Sequence, residues 1–226
     1  MHSSHSPHDP AHFPARTEDL LYSDYRKTEG LGTLRQAARA LAAETNSQSV
    51  LRTLCELSMV RGQASGAAVA ELSGDNGVYV ACAGRANDLL SMTFALEGTV
   101  TGRVANELRA ITILSPDASS PFFAELLPRL GIGPILLLPL LANGQLFGVL
   151  SISRDTGHPQ FDDADEERLG VMADLAALAL WKARLLEDAR SADAAKTSLL
   201  ATLSHELRTP LTTLRMASEV IYGQRE

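Results

Sequence analysis

Ile135-Leu136-Leu137-Leu138-Pro139-Leu140-Leu141-Ala142-Asn143-Gly144-Gln145-Leu146-Phe147-Gly148-Val149-Leu150-Ser151-Ile152-Ser153 contains two apolar runs around one polar break. Asn-Gly at the break supplies two residues that accept positive φ, the backbone state a two-residue hairpin needs. The stretch therefore predicts two antiparallel strands, Ile135 to Leu141 and Leu146 to Ser153, flanking Ala142 to Gln145.

Upstream, the same logic gives a second hairpin. Ala67 to Leu72 and Val78 to Ala83 are short apolar runs separated by Ser73-Gly74-Asp75-Asn76-Gly77, read as a five-residue turn. Simple alternation along the second run puts Cys82 on the face of Val78 and Val80. Met92 to Leu96 and Ile111 to Leu114 are further strands. Between them Val100, Val104 and Leu108 recur every four residues and predict a short helix over Gly98 to Leu108. Another short helix is expected over Phe122, Phe123, Leu126 and Leu127. Two helices precede the strands: Leu34, Ala37, Ala38, Leu41 and Ala42 make one apolar face, and Val50, Leu51, Leu54, Leu57 and Ser58 another, with the break and N-cap near Asn46-Ser47. The class is α+β, with a central antiparallel sheet of about six strands.

Downstream, Phe161-Asp162-Asp163-Ala164-Asp165 is a helix start, with carboxylates where unpaired N–H groups and the positive end of the dipole lie. Only Gly170 interrupts the helix-forming sequence before Pro210, so one helix of ~60 residues, ~90 Å long, is expected. A seam in alternating steps of three and four runs through Met172, Leu175, Ala179, Lys182, Leu186, Ala189, Asp193, Lys196, Leu200, Leu203, Leu207, Pro210, Leu214, Ala217 and Ile221. This seam predicts a parallel homodimer through the long helix. With Leu200 at position a, His205 falls at f, pointing away from the seam. An exposed imidazole titrates near ~6.5 and is largely neutral and nucleophilic at cellular pH. Glu206 beside it offers a carboxylate to fix the tautomer, and Pro210 removes a backbone donor, which should bend or loosen the helix there.

The whole chain bounds what else is feasible. Its 226 residues, 45% hydrophobic, suffice for one packed domain and an appendage. A net charge of −7 argues against nucleic acid or an anionic membrane as partner. No apolar run approaches the ~20 residues needed to span a bilayer. Cys55 and Cys82 lie in apolar contexts without metal-ligand spacing and read as reduced core thiols, which fits a cytoplasmic location. Residues 1–31 hold His2, His5, His8 and His12 among Ser and Pro and predict disorder with, from Thr17, a short docking helix. No metal site is expected.

The run Ser204-His205-Glu206-Leu207-Arg208-Thr209-Pro210-Leu211 resembles the H-box of the dimerisation and histidine-phosphotransfer (HisKA) domain of sensor histidine kinases. The resemblance implies that His205 is the phosphoacceptor, Glu206 the base that assists its attack on ATP, and Thr209 the residue that helps position water for dephosphorylating a response regulator. Gly66 to Leu72, Leu138-Pro139-Leu140 with Gly144 to Leu150, and Phe161 to Leu186 resemble the GAF fold. That implies a sensory domain over 32–184 with a small-ligand pocket between the sheet and its crossing segments, a signalling linker over 185–197, and the first phosphotransfer helix over 198–226.

Together the two resemblances imply the sensory and phosphoacceptor portion of a cytoplasmic two-component kinase. Its partners would be a second copy, an ATP-binding domain carrying ATP and magnesium, and a receiver domain of a response regulator. The second phosphotransfer helix and the ATP-binding domain are not recognisable, so the chain is expected to be a fragment inactive alone, with no cofactor of its own. His158 is the only histidine between Phe13 and Ser204, which leaves no evident haem ligand for the pocket. The competing reading is a non-catalytic GAF dimer that binds a small ligand and leaves His205 idle.

Overall fold

The computed structural model describes Gly32, residues 35–114 and residues 131–223, with side chains described as far as Leu203 apart from Ala201. The expected N-terminal disorder, docking helix and helix over 122–127 lie outside these residues. In chain order the elements are α1 (35–43), α2 (Ser47–Gly62), β1 (Gly66–Ser73), β2 (Asn76–Gly84), a 3-10 turn (Arg85–Leu89), β3 (Thr93–Ala95) and α3 (Val100–Glu107). They continue with β4 (Ile111–Ile113), β5 (Ile132–Ala142), β6 (Gln145–Asp155) and a long helix α4 (Asp163–Gly223). Six strands form one sheet in the order β3-β2-β1-β6-β5-β4, with every neighbouring pair antiparallel.

Local chemistry sets most boundaries. Asn143 and Gly144 both have positive φ, +53° and +76°, and Ala142 pairs with Gln145 across them, as the Asn-Gly signal requires. Asn46 caps α2 by accepting from Ser49 N–H at 2.8 Å, and Thr99 caps α3 by accepting from Gly102 N–H at 3.1 Å. The β1–β2 loop is shorter than expected. Only Gly74 and Asp75 lie between the strands, while Asn76 and Gly77 already pair with Ser73 and Leu72. Gly77 belongs to the strand because the Phe94 ring lies over it; a Cβ there would sit 2.6 Å from the ring.

Each face of the sheet is covered differently. On one face α1, α2 and the first part of α4 close a core that includes Val50, Leu54, Leu136, Leu150, Ile152 and Leu169, all fully buried. Each such side chain contributes roughly 1.5–3 kcal/mol. On the other face lie the 3-10 turn, which periodicity did not reveal, packed with Tyr79 and Phe94, and α3, whose Val104 packs with Ile111, Leu137 and Val149. A register shift between Val69 and Ala70 leaves Val80 of β2 unpaired. The bulge resets the alternation, so Val80, Ala81 and Ala83 pack with the helices while Tyr79 and Cys82 face the other way. Cys82 therefore does not share the face of Val80, contrary to simple alternation. Gln48 of α2 donates to the bulge carbonyl of Val80 at 3.0 Å.

The long helix is continuous. It runs through Pro210 without ending, although the proline removes one backbone donor. Its expected seam is corrected at the sensory end: Met172 and Ala179, 1% and 7% exposed, belong to the domain's own core. The sheet and α2 take the strip that includes Leu169, Met172, Ala176 and Ala183. Lys182, read from sequence as a weak rung, donates to the carbonyl of Ala42 at the end of α1 at 3.0 Å.

Candidate functional site

The long helix starts from a fixed base. Asp162 accepts from Asp165 N–H at 2.7 Å, and the Asp165 carboxylate accepts from Asp162 N–H at 3.3 Å, a reciprocal cap. Arg154, at the end of β6 and 7% exposed, ties that cap to the rest of the domain. Its guanidinium donates to Asp165 Oδ2 at 2.8 Å, twice to Gly62 O at 3.1 and 2.9 Å, and to Pro159 O and Gln160 O at 3.2 and 2.8 Å. It also stacks 4.1 Å above the Phe161 ring. Arg168 pairs with the second oxygen of Asp165. No motif announced Arg154; the only trace in the sequence is a lone arginine ending a strand just before an acidic helix start.

Among the described residues Ala183 is the last of the helix buried in the domain. Every described side chain from Arg184 to Leu203 is exposed. Thr197 and Thr202 turn their hydroxyls back onto Asp193 O and Ser198 O, at 2.9 and 3.0 Å. His205, Glu206 and Thr209 all lie on this helix. The 22 residues from Ala183 to His205 span about 33 Å at helical rise. His205 and Thr209, four apart, share one helix face, and Glu206 follows the histidine. The side chains of these three residues lie outside the described ones.

The face of the sheet turned away from α2 and α4 is lined by small and aromatic groups. Ala68 and Ala70 of β1 pack with Tyr79, Phe94, Leu89 and Ile132. The Tyr79 and Phe94 rings stand 4.9 Å apart at 30°. Polar groups here are engaged or neutral. Ser151 and Ser153 donate to Ala68 O and Gly66 O at 3.2 and 3.4 Å. Burial raises the Tyr79 phenol well above its ordinary range and pushes the Cys82 thiol up to about 11. Cys55, on the opposite face, is pushed up to about 12, again chiefly by burial. Neither thiol is a ready nucleophile. His158 is exposed in the turn after β6.

Two open grooves flank the long helix. One of about 430 Å³ has Asp163, Glu166, Glu167 and Asp174 opposite Arg109 and Pro139. The other, about 510 Å³, lies beside Phe147, Glu71, Arg184, Glu187 and Asp188. Among the described residues no three or more His, Cys, Asp or Glu side chains group to hold a metal ion, and no helix is long and apolar enough to cross a membrane.

Comparison with known proteins agrees with this architecture. Residues 44–180 match the GAF domain family, and residues 195–226 match the His Kinase A (phospho-acceptor) domain. No curated protein matches the chain. Among solved structures, the GAF domain of an Acinetobacter phosphoenolpyruvate-protein phosphotransferase is similar at 13% identity and a TM-score of 0.58, over 71% of this chain and 98% of that one. The GAF-B domain of DevS from Mycobacterium smegmatis is similar at 22% identity and a TM-score of 0.54, over 65% and 98%. The Stigmatella aurantiaca phytochrome photosensory core module reaches a TM-score of 0.62 at 17% identity, over 83% of this chain and 41% of that one. At these identities the likeness is one of fold. The chain therefore belongs to the GAF domain family and continues into a His Kinase A phospho-acceptor domain, the arrangement of a sensor histidine kinase fragment.

Proposed function

We propose that the chain is the sensing and phosphoryl-accepting part of a cytoplasmic two-component kinase, with His205 as the phosphoacceptor. The observation that carries this reading is the single helix, Asp163–Gly223, that closes the sensory sheet and bears the H-box. A neutral His205 nitrogen attacks the γ-phosphorus of ATP, the bond to the β–γ bridging oxygen breaks, and ADP leaves. Glu206 accepts the proton from the other ring nitrogen and stabilises the charge that develops on the imidazole. The phosphoryl group then passes to an aspartate of a receiver domain, and Thr209, one turn on, positions water for the later hydrolysis. Magnesium enters with ATP on a separate catalytic domain. The signal is a small molecule bound on the Tyr79–Phe94 face of the sheet, where engaged hydroxyls and neutral groups suit a largely apolar ligand.

The test supplies an ATP-binding domain of a histidine kinase in trans with labelled ATP and reads acid-labile phosphate on the chain. His205→Gln abolishes labelling, and Glu206→Gln slows it by ~10²-fold or more. Labelling of His205→Gln at the wild-type rate refutes the assignment. An unlabelled wild type would favour the non-catalytic ligand-binding dimer instead.

A further inference from the structure

The long helix has two apolar faces. One, formed by residues such as Leu169, Met172, Ala176 and Ala183, is consumed by the sensory core. The other is open: Val171, Leu178 and Leu185 are 37%, 51% and 50% exposed and recur every seven residues, with half-buried Leu175 between the first two. At 3.6 residues per turn this second stripe lies about 150° around the helix from the first. Its rungs are Val171, Leu175, Leu178, Lys182, Leu185, Ala189, Ala192 and Lys196.

The H-box has a ladder of its own, Leu200, Leu203, Leu207, Pro210 and Leu214. Traced backwards in threes and fours, it shares Lys196, Ala189, Lys182 and Leu175 with the exposed stripe. Its alternate rungs, however, are Asp193, Leu186, Ala179 and Met172, each one residue later than the stripe's. The sensory core has settled the choice at its end, because Met172 and Ala179 are buried within it. The H-box settles it at the other, because the rung after Leu203 is Leu207 rather than Glu206. Between the two ends the sequence offers leucine in both phases, as Leu185-Leu186 and Leu199-Leu200, all four of them exposed. Lys182 is also accounted for. Its ammonium is held on Ala42 O of its own α1, which leaves the aliphatic stem beside the stripe.

We propose that a second copy of this chain docks in parallel on the Val171–Leu175–Leu178–Leu185 face, and that the dimer seam slips by one residue between Leu185 and Leu200. The paired helices then contain one extra four-residue step just before His205. Such a stutter locally unwinds a left-handed coiled coil. The proposal rests on the reading of the C-terminal part as a phospho-acceptor helix, a type that typically dimerises through this helix. Continuity with that helix selects the occupant and its direction. Only a parallel, in-register pair brings each stripe onto its own copy while both H-box ladders stay together, and the exposed arm from Arg184 to Leu203 needs a cover along its whole length.

The test is oxidative cross-linking of single-cysteine variants in a Cys82→Ala background, Cys55 being buried and protonated. Disulfides form only where Cβ atoms approach within about 4.5 Å, so adjacent positions report phase. Leu178→Cys should cross-link at least tenfold faster than Ala179→Cys, and Leu185→Cys faster than Leu186→Cys, a pair outside the core that serves if Ala179→Cys misfolds. Near the H-box the preference should reverse, with Leu200→Cys at least fivefold faster than Leu199→Cys. Preference for 186 over 185, or for 199 over 200, overturns the slip. A chain that sediments as a monomer and cross-links at none of these positions overturns the docking face. Loss of His205 labelling in the trans assay would instead count against the phospho-acceptor reading.

Discussion

Arg154→Met removes the five hydrogen bonds that join Gly62, the 159–160 loop and Asp165. Methionine fills much of the volume and keeps contact with Phe161, so the loss is electrostatic. Asp165, 7% exposed, retains Arg168 and the Asp162 N–H, but loses the partner that shares its burial. Stranding one member of a buried pair typically costs ~3–5 kcal/mol, whereas replacing both members by apolar groups is often neutral. For a domain of this size each kcal/mol shifts Tm by roughly 2–4 °C, so the variant should melt roughly 6–20 °C below the wild type. Urea unfolding followed by fluorescence of Trp181, the only tryptophan, gives the free energy directly, because that residue packs against the main core. Arg154→Met with Asp165→Leu should cost clearly less than the two single variants summed, because no charge is then left stranded. A single-variant cost below about 1 kcal/mol, or a double variant as unstable as the sum of the singles, would refute the view of Arg154 as the tie between sheet and helix.

Raised cysteine pKa values predict alkaline weakening. The unfolded Cys55 thiol ionises near ~8.5, while burial holds the folded one up to about 12. The folded state therefore binds more protons in between: its stability is complete below ~8.5 and falls as pH rises through the folded value. Urea midpoints at pH 7 and pH 10.5 should fall further for wild type than for Cys55→Ala; equal falls would contradict the assignment. Gly77→Ala drives a methyl to 2.6 Å from the Phe94 ring and should cost ~1–3 kcal/mol, with partial recovery when Phe94→Leu is added. Thermal melts of the two variants decide this, and an unchanged Gly77→Ala melt would show that the ring moves aside freely.

Legibility differed between backbone and burial. The strands, the Asn143-Gly144 hairpin and the unbroken helix from Asp163 follow from local chemistry, and sequence showed them. The β2 bulge did not show, because Val78-Tyr79-Val80-Ala81-Cys82 alternates acceptably in either register and only pairing with β1 decides. The seam was traceable in threes and fours, but its phase at the sensory end depends on which residues the sheet and α2 claim, a tertiary fact. Arg154 was invisible for a related reason: its partners are mainly backbone carbonyls, which carry no sequence signature. The phospho-acceptor helix was legible because a contiguous motif needs no tertiary context, whereas the Tyr79–Phe94 face is assembled from β1, β2, β3 and β5, each contributing one or two unremarkable residues.

The unbroken arm beyond Ala183 has a mechanical consequence. From Val171 to Thr209 the helix contains neither glycine nor proline, so a tilt at its packed base would carry it as a lever. With about 33 Å from Ala183 to His205, a tilt of 5° at the base carries the histidine about 3 Å, roughly the reach of one hydrogen bond. A ligand on the Tyr79–Phe94 face, as proposed, would lie one sheet thickness from that base. An adjustment of a few tenths of an ångström in the sheet would thus be magnified several-fold at the far end, with no hinge and no unfolding in between.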